Sequence, residues 1–96
     1  MSTDDGDGES QLQIWESASR RQQLGQLRSD GVDWEVHLVV EKASRELFRG
    51  RLAFRRGDEH FLTAPVLVEE SEEEVVRRAG ELPDSMLEQF LTSVRD

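Results

Sequence analysis

The sequence predicts a small α+β domain, in which an antiparallel β-meander of three to five strands precedes two C-terminal helices packed on one face. Three observations carry this prediction. Between residues 33 and 55, apolar and polar side chains alternate with the two-residue period of half-buried strands. Asp30-Gly31 and Gly57 mark tight turns. After residue 71, the apolar spacing becomes that of amphipathic helices.

Residues 33–42 form the clearest predicted strand, because apolar and largely polar side chains alternate along it. Its inward face consists of Trp34, Val36, Leu38 and Val40. Residues 47–55 repeat the alternation, and a loop over 43–45 would place Val40 opposite Phe48. A shift by one residue would turn arginines toward the core, so the alternation specifies this register.

The segment before the first hairpin turn leaves two alternatives open. It contains either two strands, near 11–17 and 22–28, or a helix over 15–27. The hairpin turn favours the strands, because pairing across it would place Leu27 opposite Trp34.

The last predicted strand covers residues 61–68 and contains Pro65, which cannot donate a ladder hydrogen bond and therefore indicates a sheet edge. Gly25 and Gly50 fall on the inward face, where they would let a helix approach the sheet closely. The predicted core consists of Trp34, Val36, Leu38, Val40, Phe48, Leu52, Phe54, Val76, Ala79, Leu87, Phe90 and Leu91.

Two helices follow the strands. Ser71 and Glu74 have the spacing of a capping box, in which the serine hydroxyl accepts from the Glu74 amide and the glutamate carboxylate reaches back. The first helix ends at Gly80, and its apolar stripe consists of Val75, Val76, Ala79 and Leu82. The second begins near Asp84 or Ser85, and its stripe consists of Met86, Leu87, Phe90, Leu91 and Val94.

The net charge of −9 is confined to two stretches of the chain. Residues 1–10 contribute −4 and residues 69–74 contribute −5, so the remainder is neutral. We expect residues 1–10 to be a disordered acidic tail and residues 11–96 to be a single domain. Eleven of the twelve basic residues are arginine, and this acidic, arginine-biased composition suits a salt-rich host.

Composition excludes several classes of function. The chain has no cysteine, which excludes disulfides and thiolate zinc sites. No run of strongly apolar residues exceeds three, so we expect neither a membrane span nor a secretory signal, and a cytoplasmic location. The two histidines, His37 and His60, lack the spacing of a metal or catalytic motif, so the sequence predicts no metal, cofactor or catalytic residue.

One candidate binding site is an arginine stripe on the outward face of residues 47–55. Its members are Arg49, Arg51 and Arg55, and Leu47 falls on the same face. Such a stripe could bind phosphates or RNA weakly. However, Glu35 and Glu41 on the neighbouring strand are close enough to pair with Arg51 and Arg49, respectively. Aromatic side chains for base stacking are also missing from the stripe. Nucleic-acid or anionic-ligand binding is therefore the alternative function.

The function that we favour is a non-catalytic protein-interaction or accessory role, because a well-patterned core comes without a convergent catalytic set. An enzyme would require a pocket that holds His37 or His60 beside a carboxylate. Val39, Leu67 and Phe61 are expected on the outward face, where a contiguous apolar patch would bind a partner. An exposed sheet edge could also pair with another protein or a second copy.

Overall fold

The computed structural model describes residues 18–95, so the predicted acidic tail and the predicted strand over 11–17 lie outside the described residues. The elements are β1 (Arg20–Ser29), β2 (Val32–Lys42), β3 (Phe48–Arg56), β4 (Glu59–Leu62), β5 (Leu67–Glu69), α1 (Glu72–Gly80) and α2 (Asp84–Arg95). This confirms the α+β prediction of an antiparallel sheet followed by two helices. Within residues 18–95, no helix has the length and apolarity needed to cross a bilayer.

The sheet is antiparallel throughout, in the order β1-β2-β3, and both β4 and β5 pair with the far side of β3. Because β1 occupies the second half of the uncertain segment, the predicted strand is confirmed there and the helix over 15–27 is wrong. Asp30 and Gly31 have φ values of 55° and 76°, as tight hairpin turns require. Leu27 lies opposite Trp34, as predicted.

The β2–β3 hairpin keeps its predicted faces, but the predicted register is wrong by two residues. Val40 lies opposite Gly50 and not opposite Phe48. The loop closes where the Ala43 amide donates to the Leu47 carbonyl at 2.8 Å, which makes it two residues longer than predicted. A two-residue shift returns every side chain to the same face, so the alternation cannot distinguish these two registers.

Pro65 lies between β4 and β5, which are two short strands where one was predicted, and Thr63 completes the ladder at this break. The Thr63 amide donates to the Leu52 carbonyl at 2.9 Å. The Thr63 hydroxyl accepts from the Leu52 amide at 3.0 Å and donates to the Ala64 carbonyl at 2.6 Å. A side chain thus satisfies a buried backbone donor at a place where Pro65 interrupts regular pairing.

Replacing Thr63 by valine should lower the free energy of unfolding by about 1–2 kcal/mol, because the buried Leu52 amide loses its acceptor. Thr63→Ser retains the hydroxyl and serves as the matched control. Urea unfolding followed by circular dichroism measures both variants. Equal losses for valine and serine would contradict the hydrogen-bond role.

The first of the two hydrogen bonds that the capping box predicts is present at the start of helix α1. The Ser71 hydroxyl accepts from the Glu74 amide at 3.1 Å. The Glu74 carboxylate pairs with Arg77, one turn further along the same helix. Helix α2 begins at Asp84, after Pro83, whose carbonyl accepts from the Leu87 amide at 3.1 Å.

Both helices pack on the face of the sheet that carries Trp34, which we call the inner face; the opposite one is the outer face. The buried cluster is Leu27, Trp34, Val36, Leu38, Val40, Leu52, Phe54, Leu67, Val75, Ala79, Leu87 and Leu91. Three residues of the predicted core, Phe48, Val76 and Phe90, are only partly buried. The expected outward position of Leu67 is wrong, since it faces Gly50 and joins the core. The same expectation is wrong for Phe61, which is half-buried and packs against the core with its ring centroid 5.8 Å from that of Trp34.

The two glycines expected to admit a helix behave differently. A Cβ atom on Gly50 would lie 2.7 Å from Cγ1 of Val75 in α1, which confirms close packing there. A Cβ atom on Gly25 would meet nothing within 4 Å, so the prediction is wrong for this residue. Its φ of 141° accompanies a register shift between Gln23 and Gly25, and the glycine therefore serves a β-bulge.

Candidate interaction surface

The outer face carries the three arginines that the sequence singles out. Arg49 and Arg51 converge on one carboxylate of β2, with Arg49 Nη2 3.1 Å and Arg51 Nε 2.5 Å from the Glu41 oxygens. Arg51 also donates to the Thr63 carbonyl at 3.3 Å, and its side chain is only 15% exposed. The structure therefore brings two of the three arginines together, but around a carboxylate of the same chain.

The electrostatics of this cluster keep Glu41 ionised. Partial burial raises the pKa of the Glu41 carboxyl, but the hydrogen bonds and charges of Arg51 and Arg49 outweigh it and hold the pKa below its ordinary value. One negative charge thus compensates one of two positive charges. The attraction of this part of the face for an external anion is reduced accordingly.

Arg55 lies apart from the other two arginines, at the exposed end of β3, opposite Glu35 of β2 and His60 of β4. Burial lowers the pKa of His60, and the charges of Arg55 and His37 lower it further. His60 is therefore neutral near pH 7 and adds no positive charge beside Arg55. His37 Nε2 lies 3.2 Å from the Glu35 carboxylate.

Replacing Glu41 by glutamine should release both arginines. We expect a loss of about 1–3 kcal/mol in the free energy of unfolding, because a charged acceptor is removed. We also expect the variant to bind a single-stranded oligonucleotide more tightly than the parent at low salt. Glu35→Gln, an equal charge change on the same face, is the control, and the same gain in that variant would contradict the role assigned to Glu41.

No group of three or more histidine, aspartate or glutamate side chains within residues 18–95 is placed to hold a metal ion. Val39 lies on the outer face as predicted, but it is fully buried and not exposed. It sits between Arg21 of β1 and Arg51 of β3. Long arginine stems of this kind cover neighbouring apolar surface.

The outer face instead exposes apolar side chains near its β5 edge. Leu47 is 38% and Val68 is 53% exposed, and together with Met86 they are the large exposed hydrophobic residues of the described surface. Leu47 and Val68 line the same shallow depression, whereas Met86 lies on α2. The alternation predicts an outward Leu47, but no sequence signal places Val68 beside it, because the break at Pro65 changes which residues of β5 face outward.

Two shallow depressions meet at Leu47. One is lined by Ser44, Arg45, Glu46, Leu47 and Glu70. The other is lined by Leu47, Val68, Glu69, Glu70, Ser71 and Glu74. Because Leu47 and Glu70 belong to both, the surface is continuous from the β2–β3 loop to the start of α1. We call Glu46, Leu47, Val68 and Glu70 the edge patch.

Carboxylates surround the apolar centre of the edge patch. Glu69 pairs with Arg78 at 2.6 Å, and Glu74 pairs with Arg77. Glu46 and Glu70 make no ion pair within residues 18–95. The edge patch therefore combines exposed apolar area with unpaired negative charge.

Comparison of the chain with known proteins finds no match to a protein-family model, to a curated protein or to a solved structure. The outer face and the edge patch are therefore the features of this chain that bear on its function.

Proposed function

We propose that this chain is a non-catalytic protein-interaction domain whose docking surface is the edge patch. The observation that carries the proposal is the adjacency of Leu47 and Val68 around one depression. Apolar side chains that are exposed singly are normal on a protein surface. Apolar side chains that are exposed together and bordered by polar residues are typical of protein-binding surfaces.

The chemistry of the outer face supports binding over catalysis. His37 and Glu35 are in contact, as an acid–base pair would be, yet the Glu35 side chain is 47% exposed on an open sheet surface. Catalytic acid–base pairs work best where the site excludes water. Arg49 and Arg51 are held by Glu41. The proposal keeps the cytoplasmic location that the sequence predicts.

The sheet edges favour a different protein over a second copy of this chain. Strand β1 has a bulge between Gln23 and Gly25, and β4 and β5 have only four and three residues. Bulges and short strands oppose edge-to-edge pairing of sheets. A partner is therefore expected to contact the edge patch through side chains.

The test compares two full-length variants as baits for partners in an extract of the source cells. Leu47→Ser combined with Val68→Ser removes the apolar centre, and Met86→Ser makes the same kind of change on α2. We expect a protein that binds the parent and the Met86 variant, and that binds the double variant at least tenfold less. If every protein retained by the parent is also retained by the double variant, the edge patch is not the docking surface.

A further inference from the structure

We infer that the partner presents a basic segment to the edge patch, in which lysine or arginine side chains flank an apolar one. The inference rests on the proposed function and adds the chemistry of the partner. Its basis is the charge around Leu47, which shares a depression with two carboxylates, Glu46 and Glu70, that make no ion pair within residues 18–95.

Glu46 and Glu70 line the same depression as Leu47, and neither is compensated within residues 18–95. Arg45 is the one basic side chain among the described residues that line the two depressions. An apolar side chain that contacts Leu47 would therefore lie in a depression that also contains the Glu46 and Glu70 carboxylates. A cation next to that apolar side chain gains attraction, whereas an anion there is repelled.

The charged residues near the edge patch also favour a cation over an anion. Glu46 and the five glutamates of residues 69–74 give six negative charges, and Arg45, Arg77 and Arg78 give three positive ones, leaving −3 around the patch. Arg49 lies opposite Val68, but it is paired with Glu41. Because Arg49 and Arg51 share this one carboxylate, their cluster adds a single positive charge, and the balance around the patch stays negative.

A display selection with random twelve-residue peptides tests the inference. The immobilised bait is the full-length parent chain, and binders that also bind Leu47→Ser combined with Val68→Ser are removed. We expect the remaining peptides to carry more lysine and arginine than aspartate and glutamate, next to apolar residues. Glu46→Gln and Glu70→Gln should each weaken their binding about two- to fivefold, as loss of one exposed charge pair does.

Glu88→Gln is the matched control, because Glu88 is an exposed carboxylate on α2 that makes no ion pair within residues 18–95. Its binding should equal that of the parent. Patch-dependent peptides that are neutral or acidic, and that bind both glutamine variants like the parent, would overturn the inference and leave the proposed function standing. If no selected peptide requires Leu47 and Val68 for binding, both the inference and the proposed function are contradicted.

Discussion

Replacing Trp34 by alanine lowers the free energy of unfolding by about 3–5 kcal/mol, the largest loss that we expect from a single substitution. Trp34 is 2% exposed and lies at the end of the core nearest the turns. Its ring centroid is 5.8 Å from that of Phe61 and 5.5 Å from the guanidinium groups of Arg56 and Arg95. Alanine would leave a cavity beneath two arginines that also lose their aromatic contact.

The Trp34→Phe variant distinguishes the contribution of the aromatic ring to stability from that of the indole nitrogen. Trp34 Nε1 is buried and has no hydrogen-bond partner within the described residues. Phenylalanine keeps an aromatic surface and removes this unsatisfied donor, so we expect a loss below about 1.5 kcal/mol. Urea unfolding followed by circular dichroism measures both variants. Equal destabilisation by phenylalanine and alanine would show that the ring contacts contribute little.

Replacing Gly50 by alanine should cost about 3 kcal/mol, at the upper end of the usual overpacking range. The new methyl group would lie 2.7 Å from Val75 Cγ1 and 3.1 Å from Leu38 Cδ1. Both neighbours belong to the buried cluster, so neither can move away into solvent. Helix α1 would have to shift outward from the sheet, and apolar contact would be lost along it.

Two further variants show whether the clash is the cause. Gly80→Ala is the same chemical change at the end of α1, where the new methyl meets nothing within 4 Å, and it should stabilise by about 0.5 kcal/mol. Combining Gly50→Ala with Val75→Ala should cost less than the sum of the two single losses. Strict additivity in this cycle would contradict direct contact between Gly50 and Val75.

Much of the fold is predictable because local chemistry determines it. The alternation in residues 33–42 has one inward face under any register, and Asp30-Gly31 adopts the positive φ values that its turn requires. The Ser71 cap is likewise encoded within four residues. These features depend on neighbours in sequence, which a single sequence displays directly.

The features that escaped prediction depend on contacts between distant residues. The loop from Ala43 to Leu47 decides the β2–β3 register, and alternation cannot, since a two-residue shift preserves both faces. That register determines which carboxylate meets the arginines: Glu41 lies opposite Arg49 in the structure, whereas the predicted register would place it opposite Leu47. The pairing of Arg49 with Glu41 follows the sequence prediction, whereas Arg51 joins the same carboxylate instead of pairing with Glu35.

The edge patch also depends on contacts between residues that are distant in sequence. Leu47 follows the alternation outward, as predicted, but Pro65 interrupts the strand that should have been continuous. The interruption turns Leu67 into the core and leaves Val68 exposed beside Leu47. Leu47 and Val68 therefore lie side by side because the strand breaks at Pro65. No pattern within residues 61–68 predicts that they do.

The most direct test of the proposed docking surface is an NMR titration of the full-length chain with a peptide from the display selection. We expect amide shifts to change most from Ser44 to Leu47 and from Val68 to Ser71, and little around Met86 or Arg55. Addition of salt should reverse the shifts if the contact is charge-assisted. Shifts centred on Arg55 and His60, or on α2, would place the binding surface elsewhere and contradict the proposed role of the edge patch.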